Sequence, residues 1–268
     1  MLDSDFLLIT LSLEVEVSLN MPNHPTELRR QIPVDVQTKV RVVLQARTDS
    51  HRLPGKSMMQ VAGFPLAILA GLRAANTGLE VLLATTKRSV DDLLVEAAIS
   101  AGLPVYRGET DNVTQRLIDS CIDLADNAIL VRLTGDNVLP DGDLIEEVLD
   151  HFINTNQIFT STVKCQVPYG ISVEVMRIGT LKKSLNLSQT EFDVEHVTPP
   201  LDRTFPDSIP PIKHPDGDLR KYRCTVDTQS DFEVIKHLFS TVDSPVSEGW
   251  RKLVSLLIND IHASKEDR

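Results

Sequence analysis

From Lys39 onward, short apolar runs alternate with helical patterns, and this alternation narrows the fold more than any other property of the chain. Residues 40–44, 80–84, 105–106 and 128–133 are β-branched or aliphatic runs that read as strands. Between them, the segment 58–75 reads as helical, with the helix proper at 66–75. Residues 90–101, 113–126 and 143–154 also read as helices. Ser89 stands at a capping position before the 90–101 helix, and Gly102 follows it at a C′ position. Repeated βα units predict an α/β fold of three layers, a mostly parallel sheet with helices on both faces. Parallel-sheet folds place ligands at the C-terminal ends of the strands, so those ends are where chemistry is expected.

The order changes after about residue 157. Residues 158–163 and 171–176 read as strands around Pro168-Tyr169-Gly170, and 179–185 as a short helix. Residues 198–217 are rich in Pro and turn formers. A strand at 222–226 and helices at 229–239 and 250–263 follow. The expected organisation is one domain over 39–268 with a lid-like insertion around 164–217. Residues 1–38 hold Pro22, Pro25 and Pro33 and share no pattern with the rest. They are expected to be an N-terminal extension, poorly ordered, and Met21 is a candidate start.

Charge and cysteine usage exclude several function classes. The formal net charge of −11 argues against nucleic acid and anionic membranes as partners. No apolar run approaches the ~18 residues that a membrane helix needs. Cys121, Cys165 and Cys224 are far apart and form no CxxC, so neither a zinc site nor a disulfide framework is expected. Inert thiols fit a reducing, cytoplasmic setting.

Three strand ends carry the candidate chemistry. The first strand runs into Gln45-Ala46-Arg47-Thr48-Asp49-Ser50-His51-Arg52-Leu53-Pro54-Gly55-Lys56. Read alone, this loop is either a solvated basic turn or a phosphate cradle built from guanidiniums, an ammonium and backbone N–H groups. It lacks the leading glycine of a Walker A loop, and it lacks GxGxxG. Arg132-Leu133-Thr134-Gly135-Asp136 puts a carboxylate at the end of a second strand. Thr225-Val226-Asp227 puts one at the end of a third. A carboxylate beside bound phosphates would repel them unless it holds a divalent metal, so Asp136 and Asp227 together could bind Mg²⁺. The alternative for Asp136 is a turn or cap residue. Asp231 is expected to stabilise a helix N-terminus.

With these residues in view, the chain resembles the acylneuraminate (CMP-sialic acid synthetase-like) cytidylyltransferases, most nearly their spore-coat-polysaccharide branch. The resemblance covers roughly residues 39–240. It rests on the 45–56 loop, Tyr106-Arg107-Gly108, Arg132 to Asp136, Tyr169-Gly170 with Glu174, Glu195-His196-Val197-Thr198-Pro199, and Thr225-Val226-Asp227 with Asp231-Phe232, in that order. It implies a nucleotide-diphospho-sugar transferase (Rossmann-like) fold. It also implies transfer of CMP from CTP to an acidic, 2-keto-3-deoxy sugar with release of pyrophosphate, for surface glycan biosynthesis. By the same resemblance, Arg47, Ser50, Arg52 and Lys56 hold the triphosphate beside Gln45 and Ala46, and Asp136 and Asp227 hold Mg²⁺. Tyr169, Glu174, Glu195 and His196 face the sugar. Cytosine reading is expected near Thr85 and between Arg107 and Asn112. A homodimer is implied as well.

Two departures from the branch concern the sugar. Asn137-Val138-Leu139-Pro140 follows Asp136 where Cys-Pro is usual, and Thr86-Lys87-Arg88 replaces acidic residues. Alternatives left open are another nucleotide or a non-acidic sugar, a glycosyltransferase of similar layout, and a non-catalytic nucleotide-binding homologue.

Overall fold

The computed structural model describes residues 39–188, 190–204 and 209–266. The expectations about residues 1–38 lie outside the described residues. Strand β1 (Val40–Gln45) leads into the basic loop and then into a two-strand hairpin of β2 (Gln60–Val61) and β3 (Phe64–Pro65). Helix α1 (Leu66–Ala74), β4 (Val81–Thr86), α2 (Asp92–Ser100), β5 (Val105–Gly108), α3 (Val113–Asp119), β6 (Ile129–Thr134) and α4 (Gly142–Asn154) continue the alternation. The second half holds β7 (Phe159–Ser161), β8 (Glu174–Arg177), α5 (Ile178–Leu187), α6 (Glu191–His196), α7 (Pro199–Thr204), α8 (Gln229–Ser240) and α9 (Trp250–Glu266). Among the described residues, no helix is long and apolar enough to cross a membrane.

The main sheet has the order β5-β4-β1-β6-β8-β7. β5, β4, β1 and β6 are parallel, whereas β8 runs antiparallel to β6 and β7 antiparallel to β8. Both faces are covered, as the near-continuous apolar strands require. In β1, Val42 and Leu44 enter the core on one face, shared with α1, α4, α8 and α9. Val43 points to the other, shared with α3 and α5. The chain adds β4 on one side of β1 and β6 on the other, so the strand order reverses at β1 and opens a crevice there.

Four sequence expectations shift. Residues 59–65 are not helical. A 3-10 turn at Lys56–Met58 and the β2–β3 hairpin intervene, so the basic loop does not run into the N-terminus of α1. Helix α3 stops at Asp119 instead of 126. Arg41 takes the Ser120 carbonyl (2.7 Å) and pairs with Asp123 (2.6 Å), which draws the chain out of the helix. The run 171–176 becomes the shorter β8, because Thr162 Oγ1 bonds both the Ile171 carbonyl and the Val173 N–H before the ladder begins. Residues 222–226 form no strand. Their backbone is satisfied by loops: Cys224 N–H donates to Tyr169 (2.8 Å) and Val226 N–H to Asp136 (3.0 Å). The three cysteines are free and buried.

Candidate active site

The basic loop is shaped by its own backbone. Gly55 adopts φ 75°, and its N–H donates to the Thr48 carbonyl at 2.9 Å, folding residues 48–55 into a closed turn. Buried Asp91 accepts from the Thr48 N–H (2.7 Å) and from the Thr48 and Thr86 hydroxyls. Burial pushes the Asp91 carboxyl up, but these hydrogen bonds outweigh it and hold the group below its ordinary value. The loop is therefore anchored to the end of β4 by a carboxylate that stays ionised.

Two glycines bring the turn after β6 and the 224–227 segment close. A Cβ on Gly135 would come within 2.8 Å of the Ala46 Cβ, so only glycine lets the turn after β6 lie against the end of β1. Gly170 has φ 110°, and a Cβ there would come within 2.6 Å of the Thr225 backbone nitrogen. The 168–171 turn thus rests directly on residues 224–225. With Val226 N–H bonded to the Asp136 carbonyl, Asp136 and Asp227 stand side by side though 91 positions apart.

Lys56 lies between them. Its Nζ is 2.9 Å from Asp136 Oδ2, 3.1 Å from Asp227 Oδ1 and 2.8 Å from the Val226 carbonyl. Arg52 reaches the same Asp227 oxygen (2.8 Å), and Arg223 holds the other. Burial pushes the Asp227 carboxyl up, but Lys56, Arg223 and Arg52 together hold it below its ordinary value. Asp231 closes a capping box on α8 with Thr228, in the expected helix-start role.

A second group lies deeper along the same cleft. Arg132 donates to Gln45 (2.8 Å) and to buried Glu174, whose other oxygen accepts from Thr198 (3.3 Å). Arg47 reaches Glu195 on α6 at 3.1 Å. Phe192 and His196 of that helix pack with their rings tilted, 4.0 Å between centroids. Exposed Tyr169 lies under the Arg223 guanidinium (5.1 Å).

The cleft holds about 670 Å³ and brings together Gln45, Ala46, Arg47, Ser50, Arg52, Lys56, Asp136, Tyr169, Glu174, Glu195, His196 and Asp227. Thr85 and Asn112 do not line it. Thr85 is fully buried on β4, and the Asn112 side chain caps α3 by accepting the Gln115 N–H (2.8 Å). Arg116 lines the cleft and was not singled out from the sequence. The available signal was its place: three residues after Val113, on the buried side of α3 beside Leu117.

Comparison with known proteins agrees with this geometry. The family model described as cytidylyltransferase matches residues 41–261. Spore coat polysaccharide biosynthesis protein SpsF of Bacillus subtilis is 27% identical over 238 residues, 84% of this chain and 96% of its own length. A 3-deoxy-manno-octulosonate cytidylyltransferase of Photobacterium profundum is 31% identical over 119 residues, 43% of this chain and 47% of its own. The solved structure of a cytidylyltransferase from Leptospira borgpetersenii superposes with a TM-score of 0.77 at 26% identity, covering 84% of this chain and 96% of that one. With this sheet order, this cleft and a family match over most of the described chain, the protein belongs to the cytidylyltransferase family and has the nucleotide-diphospho-sugar transferase fold.

Proposed function

We propose that the cleft transfers CMP from CTP to the hydroxyl of an acidic, 2-keto-3-deoxy sugar, releasing pyrophosphate, in surface glycan biosynthesis. The observation that carries this reading is the convergence of Lys56 on the two carboxylates Asp136 and Asp227, with Arg52 on Asp227 beside it. The relatives named for spore coat polysaccharide biosynthesis and for 3-deoxy-manno-octulosonate support the sugar class. A cytoplasmic homodimer, and a lid made by residues 164–217, complete the reading.

The donor set suits Mg²⁺. Asp136 and Asp227 already converge on one cation, the Lys56 ammonium. Among the described residues no group of three or more His, Cys, Asp or Glu converges, so the protein offers two carboxylates and leaves the other positions to phosphate oxygens and water. When bound, the metal would neutralise charge on the phosphates. The chain's own residues do the rest by positioning. Lys56 and Arg52 are placed to take the charge that builds on pyrophosphate as the α-phosphorus–oxygen bond breaks. Arg132, itself held by Gln45, orients Glu174, and Glu195 and His196 of α6 face the sugar from the lid. Holding both reactants in line replaces a bimolecular encounter by a local one.

Pyrophosphate release from each of the four nucleoside triphosphates, with a panel of keto-deoxy sugar acids and with and without Mg²⁺, tests the reading. Release with CTP and Mg²⁺ alone is expected. Lys56→Ala and Asp227→Asn should each lower turnover by ~10²-fold or more. Absence of release from CTP under every condition ends the proposal.

A further inference from the structure

Five cationic side chains line the cleft, and they are not equivalently partnered. Arg52 and Lys56 are paired with Asp227, Lys56 also with Asp136, Arg47 with Glu195 and Arg132 with Glu174. Arg116 alone among them has no carboxylate partner among the described residues. Its Nη1 donates to the backbone carbonyls of Glu109 and Thr110, and its Nε, fully shielded, has no acceptor. The residue is only 2% exposed. Asp91 acts on it only through space, without a hydrogen bond, so a buried guanidinium with an unmet N–H and no bonded carboxylate gains from a ligand anion.

The surroundings sharpen the point. A Cβ on Gly108 would meet the Tyr106 ring at 2.6 Å and the Arg116 stem at 3.0 Å, so the end of β5 leaves room for both side chains. Burial, and then the charge of Arg47, lower the Arg116 guanidinium to about 10; Asp91 opposes this and Arg132 adds to it. Arg47 and Arg132 both act electrostatically on Arg116 and line the same cleft, each already paired with a carboxylate of its own.

We propose that Arg116 is a substrate-anion residue, taking an anionic oxygen beside Arg47 when the cleft is filled. This rests on the cytidylyltransferase reading above and adds a residue to it. Two groups of one chemistry could supply that oxygen: the α-phosphate of the nucleotide or the carboxylate of the sugar. A planar fork of N–H donors suits either.

Calorimetric binding of CMP and of cytidine to wild type, Arg116→Gln and Arg116→Lys tests the assignment. Binding of 3-deoxy-manno-octulosonate in the presence of CMP is measured alongside, and thermal melting confirms that each variant is folded. If the phosphate is the ligand, Arg116→Gln weakens CMP at least tenfold and cytidine less than twofold, and Arg116→Lys recovers part of the loss. If the carboxylate is the ligand, CMP is unchanged and the sugar acid weakens at least tenfold. A folded Arg116→Gln that binds CMP and the sugar acid within twofold of wild type overturns the proposal, as does equal weakening of cytidine and CMP. Where wild type does not bind that acid, the CMP result alone decides. Failure of wild type to bind CMP would instead count against the cytidylyltransferase reading of the cleft.

Discussion

Arg73 and Lys56 both carry a positive charge into the body of the protein, on either side of the turn that follows β6, and their partners differ in kind. Arg73 is fully buried, and its donors are met by neutral backbone. Nε donates to Val138 (2.9 Å), Nη2 to Leu139 (2.8 Å), and Nη1 to Pro245 (2.7 Å) and Glu248 (2.8 Å). Its nearest carboxylate, Asp141, is 3.8 Å away and is occupied with the Leu144 and Trp250 N–H groups. Lys56 is met chiefly by two carboxylates that face the cleft. No incoming ligand is placed to replace the four carbonyls around this buried guanidinium. A metal and a triphosphate can redistribute charge between two carboxylates and an ammonium. The first arrangement fixes the 137–141 turn against the 245–248 segment, and the second leaves the end of that turn free to react.

The largest effect on stability is accordingly expected at Arg73. Arg73→Met orphans four carbonyls and removes the cation nearest Asp141, at a cost of about 3–5 kcal/mol. Urea unfolding measures it directly. A loss below about 1 kcal/mol would show that the clasp is not what holds the turn.

How much of this was open to a reader of the sequence differs between the two regions. Lys56, Asp136 and Asp227 were legible because each follows a strand-like run, and parallel sheets collect such ends. The Arg73 clasp was not, since its acceptors are backbone carbonyls at 138–139 and 245–248, and a carbonyl leaves no mark in sequence. Arg116 escaped for a related reason: a charged residue on an apolar helix face announces burial but not what it faces. The βα order from β1 to α4 followed from periodicity, whereas the antiparallel β8 and the loop-paired 222–226 segment depend on contacts between distant residues. Thr85 and Asn112 were expected to read the base and do not line the cleft, because one side chain turns into the interior and the other caps a helix.

Lys56 gives the next test in order of size. If its ammonium stands where a divalent cation would be held, removing it should improve metal binding while impairing catalysis. Lys56→Ala is expected to bind Mn²⁺ in the absence of nucleotide at least tenfold more tightly than wild type, read from the loss of the free-ion paramagnetic resonance signal. Its folding stability should fall by about 1 kcal/mol or less, because Asp227 keeps Arg52 and Arg223. Equal Mn²⁺ affinity in the two proteins would separate the ammonium position from the metal position and weaken the contrast with Arg73.

The smallest effect concerns pH, and here the carboxylates of the two regions have opposite signs. Burial dominates at Asp141 and raises its carboxyl, while at Asp227 the surrounding cations overcome burial and lower it. A lowered folded value means that Asp227 adds stability above the unfolded carboxylate value of 3.8, and that this is lost as pH falls through the folded value. A raised value at Asp141 works the other way: protonation is easier in the folded protein, so its contribution is favourable at low pH and is lost as pH rises through the folded value. The stability gap between wild type and Asp227→Asn should therefore shrink between pH 5 and pH 3 in urea unfolding, and the gap between wild type and Asp141→Asn should move oppositely. A gap at Asp227 that stays constant over that window would mean that the Lys56 cluster does not favour the ionised carboxylate. The charge exchange inferred for substrate binding would then lose its basis, because it requires Asp227 to be ionised before any metal or phosphate arrives.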